Sequence, residues 1–291
     1  MAWVYLISIV IAQRFVSVAQ KSYGNKITNG GFSFSAAVIF FQIVFFAVSG
    51  YIIEGSLDFT NTAILPYALI FGICFGTAVV FDTLAVLSGP LSITTLFISF
   101  SLLIPTFYGI IFNSELPGLF FYIGLAFLIV SLVAVNLKKK GAKEKKTSVK
   151  WFIFTMLGFL GNGGCTVSQT AQQKAFNGAY KSELMIIALA FAFIAIIIVA
   201  FITEKRSIWR NLKVGLPFHL LYAVSNGFVN LFVMMLTGGN LLPVSVIFPT
   251  ISAGGILGSA LLAMIAYKEK LTKLQIAGII FGAVAGVFLN L

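Results

Sequence analysis

Charge is scarce in this sequence. Asp, Glu, Lys and Arg make up 9% of its 291 residues, and only eight residues are acidic, whereas a soluble domain carries roughly a quarter charged side chains. A water-exposed globule is therefore excluded. Strand-like alternation is missing as well: uninterrupted runs such as ELMIIALAFAFIAIIIVAFIT rule out the two-faced strands of a membrane β-barrel. Cysteine occurs only at Cys74 and Cys165, both within apolar segments and without metal or disulfide spacing. Both read as small buried side chains. The first apolar segment has neither a basic leader nor a small-residue cleavage site, so a cleavable signal peptide is not expected.

What remains is 59% hydrophobic, with a mean hydropathy of +1.05. A helix needs about 20 apolar residues to cross bilayer hydrocarbon. Ten segments qualify, near residues 2–20, 33–53, 64–88, 91–112, 117–137, 151–172, 183–203, 213–236, 242–266 and 271–291. The expectation is an all-α integral membrane protein of ten helices. The net charge of +11 would suggest nucleic acid in a soluble chain, but here its distribution carries the information. Lys21, Lys26, the run KKKGAKEKKTSVK (138–150), EKRSIWRNLK and KEKLTK fall after odd-numbered spans, and Glu54, Asp58, Glu115 and the group Lys174, Lys181 and Glu183 fall after even-numbered ones, leaving the first set strongly basic and the second slightly acidic. Basic loops stay in the cytoplasm, so both termini are expected outside a cell membrane. Residues 138–150 read as a flexible cytoplasmic linker that fixes topology and can touch anionic lipid.

QKSYGN (20–25) is echoed by QKAFNG (173–178), and the echo persists. ILPYALIFG and VGLPFHLLY align Pro66 with Pro217; SELPGLFFYIG and KEKLTKLQIAG align Glu115 with Glu269 and Gly124 with Gly278; the halves finish on Asn136 and Asn290. Residues 1–137 and 151–291 are thus two five-span repeats, and an odd span count inverts the second relative to the first. With its doubled unit and its closing patterns SELPGLFFYIGLAFLIVSLVAV and KEKLTKLQIAGIIFGAVAGVFLN, the chain resembles the EamA-type ten-helix branch of the drug/metabolite transporter superfamily. The resemblance implies two inverted units around a central cavity and transport of amino acids, other metabolites, nutrients or toxic compounds, with no cofactor. Many members of that family keep their termini in the cytoplasm, and the loop charges here argue the reverse.

Residues three and four apart share a helix face. Asn162, Thr166, Gln169 and Gln173 form one polar stripe; His219, Tyr222, Asn226 and Asn230 form another. Gln13, Ser17 and Gln20, then Thr95, Ser99 and Thr106, then Ser245, Ser252 and Ser259 make weaker ones. An unpaired amide in hydrocarbon costs several kcal/mol, so these stripes face other helices or water. Interhelical hydrogen bonding explains any one of them. The expectation is an inner ring of spans one, three, four, six, eight and nine around a solute path, with the plainer spans two, five, seven and ten outside. Pro105 and Pro249, deep in the fourth and ninth spans, are hinge candidates. The Gly278–Gly282–Gly286 edge is expected to pack within the chain, with homodimerisation as its other use.

Arg14, Asp82 and His219 are the ionisable residues inside spans. Counted from their loops, all three lie about 9–10 Å below the cytoplasmic interface. The expectation is an Arg14–Asp82 pair with His219 nearby, acting either as a static pair, as an inner gate or as a proton site. The leading reading is a secondary transporter for a small polar, nitrogenous solute such as an amino acid. Organic cations come second, sugars or nucleobases third. An intramembrane hydrolase pairing His219 with Ser259 lacks a supporting motif.

Overall fold

The computed structural model describes residues 1–27, 30–88, 91–136, 148–205, 207–265 and 272–291. Most of the 138–150 linker, the turn holding Glu269 and the side chains of Thr95 and Asn136 lie outside the described residues. Among the described residues there are eleven α-helices, one 3-10 turn and no strand. The helices are α1 (Ala2–Lys26), α2 (Gly31–Glu54), α3 (Leu65–Ser88), α4 (Leu91–Phe100), α5 (Leu103–Phe112), α6 (Leu119–Asn136), α7 (Val149–Ala175), α8 (Lys181–Glu204), α9 (Ser207–Gly238), α10 (Val244–Ile265) and α11 (Lys273–Phe288). Six stretches among them are long and apolar enough to cross a membrane: α1, α2, Thr62–Asp82, α8, α9 and Val244–Leu262. The long α7 falls outside that set, its glutamines and Asn162 making it more polar.

Local chemistry sets the helix ends. Ser148 accepts a hydrogen bond from the Trp151 N–H at 3.1 Å to open α7, and Thr272 with Gln275 forms a reciprocal capping box on α11. The expected fourth span is two helices, broken at Ser101–Leu102. Pro105 stands in the first turn of α5, where it has no N–H to offer the Ser101 carbonyl. Pro249 has no such effect, and α10 runs through it unbroken.

Each half contributes one helix to every major packing: α3 with α7, α6 with α11, α2 with α8, α1 with α9 and α5 with α10. The pairs of long helices are antiparallel. Tyr5 stacks on Phe232 and Tyr23 lies tilted against His219; Ser168 bonds the Tyr67 carbonyl while Asn162 reaches Asp82; Ser131 donates to the Gly278 carbonyl at 2.6 Å while Gly124 faces Leu289. Packings also match under exchange of the halves. The contact of α1 with α9 corresponds to that of α7 with α3, and α2 with α9 to α8 with α3.

Helix termini gather at two opposite ends. Lys26, Lys205, Arg210, Lys213 and Lys273 with Glu204 mark a mainly basic end, and Glu54, Asp58, Glu115 and Glu183 with Lys174 and Lys181 mark a mainly acidic one. Glutamates hold these ends together. Glu204 accepts from the Phe32 and Ser33 N–H groups at 2.8 and 3.0 Å, closing the start of α2, and Glu115 accepts from Val244 and Ser245 at 2.8 and 2.7 Å, closing the start of α10. A carboxylate satisfies the orphan donors of a helix N-terminus and complements its positive dipole end. Glu183 accepts from the Asp58 N–H, while the Thr60 N–H and hydroxyl hold the Asp58 carboxylate below its ordinary range.

Large side chains exposed to the surroundings, among them Ile11, Phe40, Val44, Ile194 and Ile198, form the outer belt. Since lipid is as apolar as these residues, cohesion comes from close packing. The Phe46–Phe71–Leu189 cluster joins α2, α3 and α8, and Leu6, Ile247 and Phe248 join α1 to α10. Gly161 lets α7 approach α3 so closely that a Cβ would lie 2.8 Å from the Ala78 nitrogen and the Cys74 carbonyl. On α11, Gly278 faces Ala134 and Val135 and Gly282 faces Ser131, so this glycine edge is occupied by α6 of the same chain.

Candidate functional site

Asp82, three-quarters of the way along α3, meets α7 where Gly158 leaves no side chain. A Cβ at Gly158 would collide with Asp82 Oδ1. One turn on, Asn162 donates its amide to Asp82 Oδ2 at 2.7 Å and to the Gly158 carbonyl at 3.1 Å. Asp82 Oδ1 is buried and without a partner among the described residues. Tyr222 of α9 lies within electrostatic reach of this carboxylate. The Asn226 side chain, one turn further along α9, is half-buried with no hydrogen-bond partner among the described residues, and Asn230 donates to the Asn226 carbonyl at 2.9 Å. Thr166 bonds back to the Asn162 carbonyl.

Arg14 is elsewhere. Its guanidinium donates to Ser259 Oγ, to Gln13 Oε1 at 3.4 Å and to the Val10 carbonyl, lying along α10 beside Gly258. The expected Arg14–Asp82 pair is therefore not formed. Similar depth does not fix direction around the bundle: α1 turns Arg14 toward α10, and α3 turns Asp82 toward α7. His219 joins neither. It sits between Tyr23 and Phe34, ring centroids 5.4 and 5.2 Å away, with both ring nitrogens buried and unpartnered among the described residues. Ser259 Oγ is taken by Arg14, so a His219–Ser259 dyad is not assembled either.

The α7 stripe divides by depth. Toward the acidic end its glutamines are buried and spent on fastening: Gln169 donates to the Asn230 carbonyl at 3.0 Å, Gln172 to the Ala179 carbonyl at 3.1 Å, and Gln173 to Gln172 Oε1. Beside them Gly178, at φ +79°, meets Gly238 backbone to backbone, which a side chain on either would prevent. Toward the middle and the basic end, Gln13, Arg14, Asp82, Asn162, Thr166, Tyr222, Asn226 and Asn230 are half-buried, and Ser17 is exposed. Ser252 and both hinge candidates, Pro105 and Pro249, are buried. Two pockets lie away from Asp82, one touching Ser245 of the α10 stripe and the other His219 of the α9 stripe. One of about 370 Å³ sits at the acidic end between Glu115, Pro243 and Leu289; another of about 260 Å³ opens to the lipid belt beside His219.

The helix terminus role of Glu115 and Glu204 and the space left by Gly158 were not anticipated from the sequence. Glu115 carried a signal only as a repeated loop acid, and Gly158 carried none.

No family model and no curated protein matches this sequence. Among solved structures, one described only as the crystal structure of a protein is similar with a TM-score of 0.75, over 99% of this chain and 95% of that one, at 12% identity. That likeness is one of fold alone. Apolar helices, lipid-facing belt and charge-sorted ends define the class: an all-α, multi-pass membrane protein.

Proposed function

We propose that the chain is a secondary active transporter with ten spans in two inverted five-helix units, residues 1–137 and 151–291, that alternate access to a small-molecule site between them. The matched antiparallel packing of the two halves supports the repeat, since each major contact has a counterpart when the halves are exchanged. One observation carries the reading. Asp82 Oδ1 is buried without a partner among the described residues, and the half-buried Tyr222 and Asn226 side chains make no hydrogen bond among those residues either, in the region between α3, α7 and α9. Buried polar groups are normally satisfied, and a polar solute is what would complete these.

The substrate is a small nitrogenous metabolite, such as an amino acid, whose amine takes Asp82 and whose remaining polar groups take Tyr222 and Asn226. Export is its direction, and Asp82 exchanges a proton for it. The basic end faces the cytoplasm of a cell membrane, which leaves both termini outside. Near the acidic end Gln169 and Gln172 are buried and tied to backbone carbonyls, which fits a state closed there. Organic cations form a second substrate class. Asp82 without Arg14 at its side, and with Tyr222 within electrostatic reach, is the arrangement that favours them.

Counterflow in proteoliposomes tests the proposal. Purified protein loaded with amino acids, polyamines, nucleobases, sugars or quaternary amines should accumulate a labelled solute of the amine-bearing classes. Absence of flux for every class would remove the transporter reading.

A further inference from the structure

Arg14 is the middle residue of α1, about 18 Å from either end, and no carboxylate pairs with it among the described residues. A snorkelling arginine would run along its own helix toward the interface. This one crosses to α10, where Gly255 and Gly258 make room: a Cβ on Gly258 would lie 3.3 Å from Arg14 Cδ, and one on Gly255 3.8 Å from Nη2. Its bonds all go to neutral acceptors, Nε to the Val10 carbonyl, Nη1 to Ser259 Oγ and Nη2 to Gln13 Oε1. A guanidinium has five N–H donors, so one is left over on each terminal nitrogen. Bidentate binding of a carboxylate uses such a pair. We propose that Arg14, Gln13 and Ser259 form an anion site that takes the carboxylate of a small solute entering from the basic end.

The neighbours supply donors as well. Ser259 Oγ accepts from Arg14, which leaves its own proton to give, and the Gln13 amide nitrogen makes no hydrogen bond among the described residues. What is unspent here donates, and the charge is positive, so an ammonium is repelled and a bound water would leave the charge uncompensated. A charge within a membrane span is costly until it is countered. Access is open: Ser259 is exposed, Gln13 and Arg14 are half-buried, and Ser17 and Gln20, both exposed, continue the polar stripe of α1 toward the basic end. The proposal deepens the transport reading, on which it rests for the solute's onward passage, by giving the amine-bearing solute an acidic group. A lipid phosphate offers the same oxyanion chemistry and is the rival source, but it stays with its headgroup at the interface, whereas Arg14 lies halfway along α1.

Equilibrium dialysis tests this on the full chain in a maltoside detergent, which carries no phosphate, with labelled benzoate as the probe and benzamide as its uncharged match. Benzoate should bind, and benzamide at the same concentration should not displace it. Arg14→Gln should abolish binding, and Ser259→Ala should weaken it about tenfold. Native mass spectrometry with added phosphatidylglycerol is the lipid arm: Arg14→Gln should retain as much lipid as the unsubstituted protein. No benzoate binding, equal displacement by benzamide, full binding to a monodisperse Arg14→Gln protein, or lipid retention that falls in that variant would each overturn the proposal. The benzamide comparison and Ser259→Ala decide it even where Arg14→Gln does not fold. Dialysis requires neither flux nor an amine, so its failure leaves counterflow of amine-bearing solutes standing, and failed counterflow leaves the anion site standing.

Discussion

Asn162 of α7 holds one oxygen of Asp82 of α3 at 2.7 Å and leaves the other buried without a partner. Structure alone gains little from such an arrangement, because an unsatisfied carboxylate oxygen lowers stability. Asp82→Asn retains an acceptor for Asn162 and removes the charge. Its melting temperature should match or exceed that of the unsubstituted protein, while transport driven by a pH gradient should fall at least tenfold. Unchanged driven transport would dismiss the proton role of Asp82.

Gly158 makes room for that carboxylate. Gly158→Ala should displace Asp82 and cost about 1–3 kcal/mol, the usual range for overpacking. In combination with Asp82→Ala the clash disappears, so a double-mutant cycle read by thermal or denaturant unfolding should give a coupling of about 0.5–3 kcal/mol. Additive effects would mean that the two residues do not share the site.

Glu115→Ala strands the Val244 and Ser245 N–H groups at the start of α10. The expected loss is about 2 kcal/mol, visible as a lower melting temperature. Glu115→Gln keeps one acceptor and should recover part of it. Solute affinity should not change in either variant that folds.

The α7 and α9 stripes should separate in their responses. Asn226→Leu removes an amide the protein does not use, so affinity for the transported solute should drop about tenfold with stability unchanged. Gln169→Leu removes the bond to the Asn230 carbonyl and should cost about 0.6–1.7 kcal/mol. Equal stability losses in both would make the two stripes the same kind of packing contact.

The order of helices was legible because hydropathy and loop charge are one-dimensional signals. The Ser101–Leu102 break was legible in part through Pro105. Direction around the bundle was not. Arg14 and Asp82 share a depth, yet they face α10 and α7, because side-chain azimuth depends on which helices pack together, and spacing along one helix cannot supply that. Gln169 and Gln173 show a related limit. Both are buried, but whether an amide meets a solute or a backbone carbonyl is decided by its neighbours in the fold, here Asn230, remote in sequence, for Gln169 and the turn carbonyl of Ala179 for Gln173.

Side-specific labelling of Asn226→Cys, in a background with Cys74 and Cys165 replaced by Ala, addresses the alternating passage itself. An impermeant thiol reagent should reach this position from the cytoplasmic, basic side of oriented vesicles when no solute is present, and saturating transported solute should slow that reaction and expose the position from the opposite side. A thiol that reacts from neither side, with or without solute, would contradict a water-accessible path between the two halves.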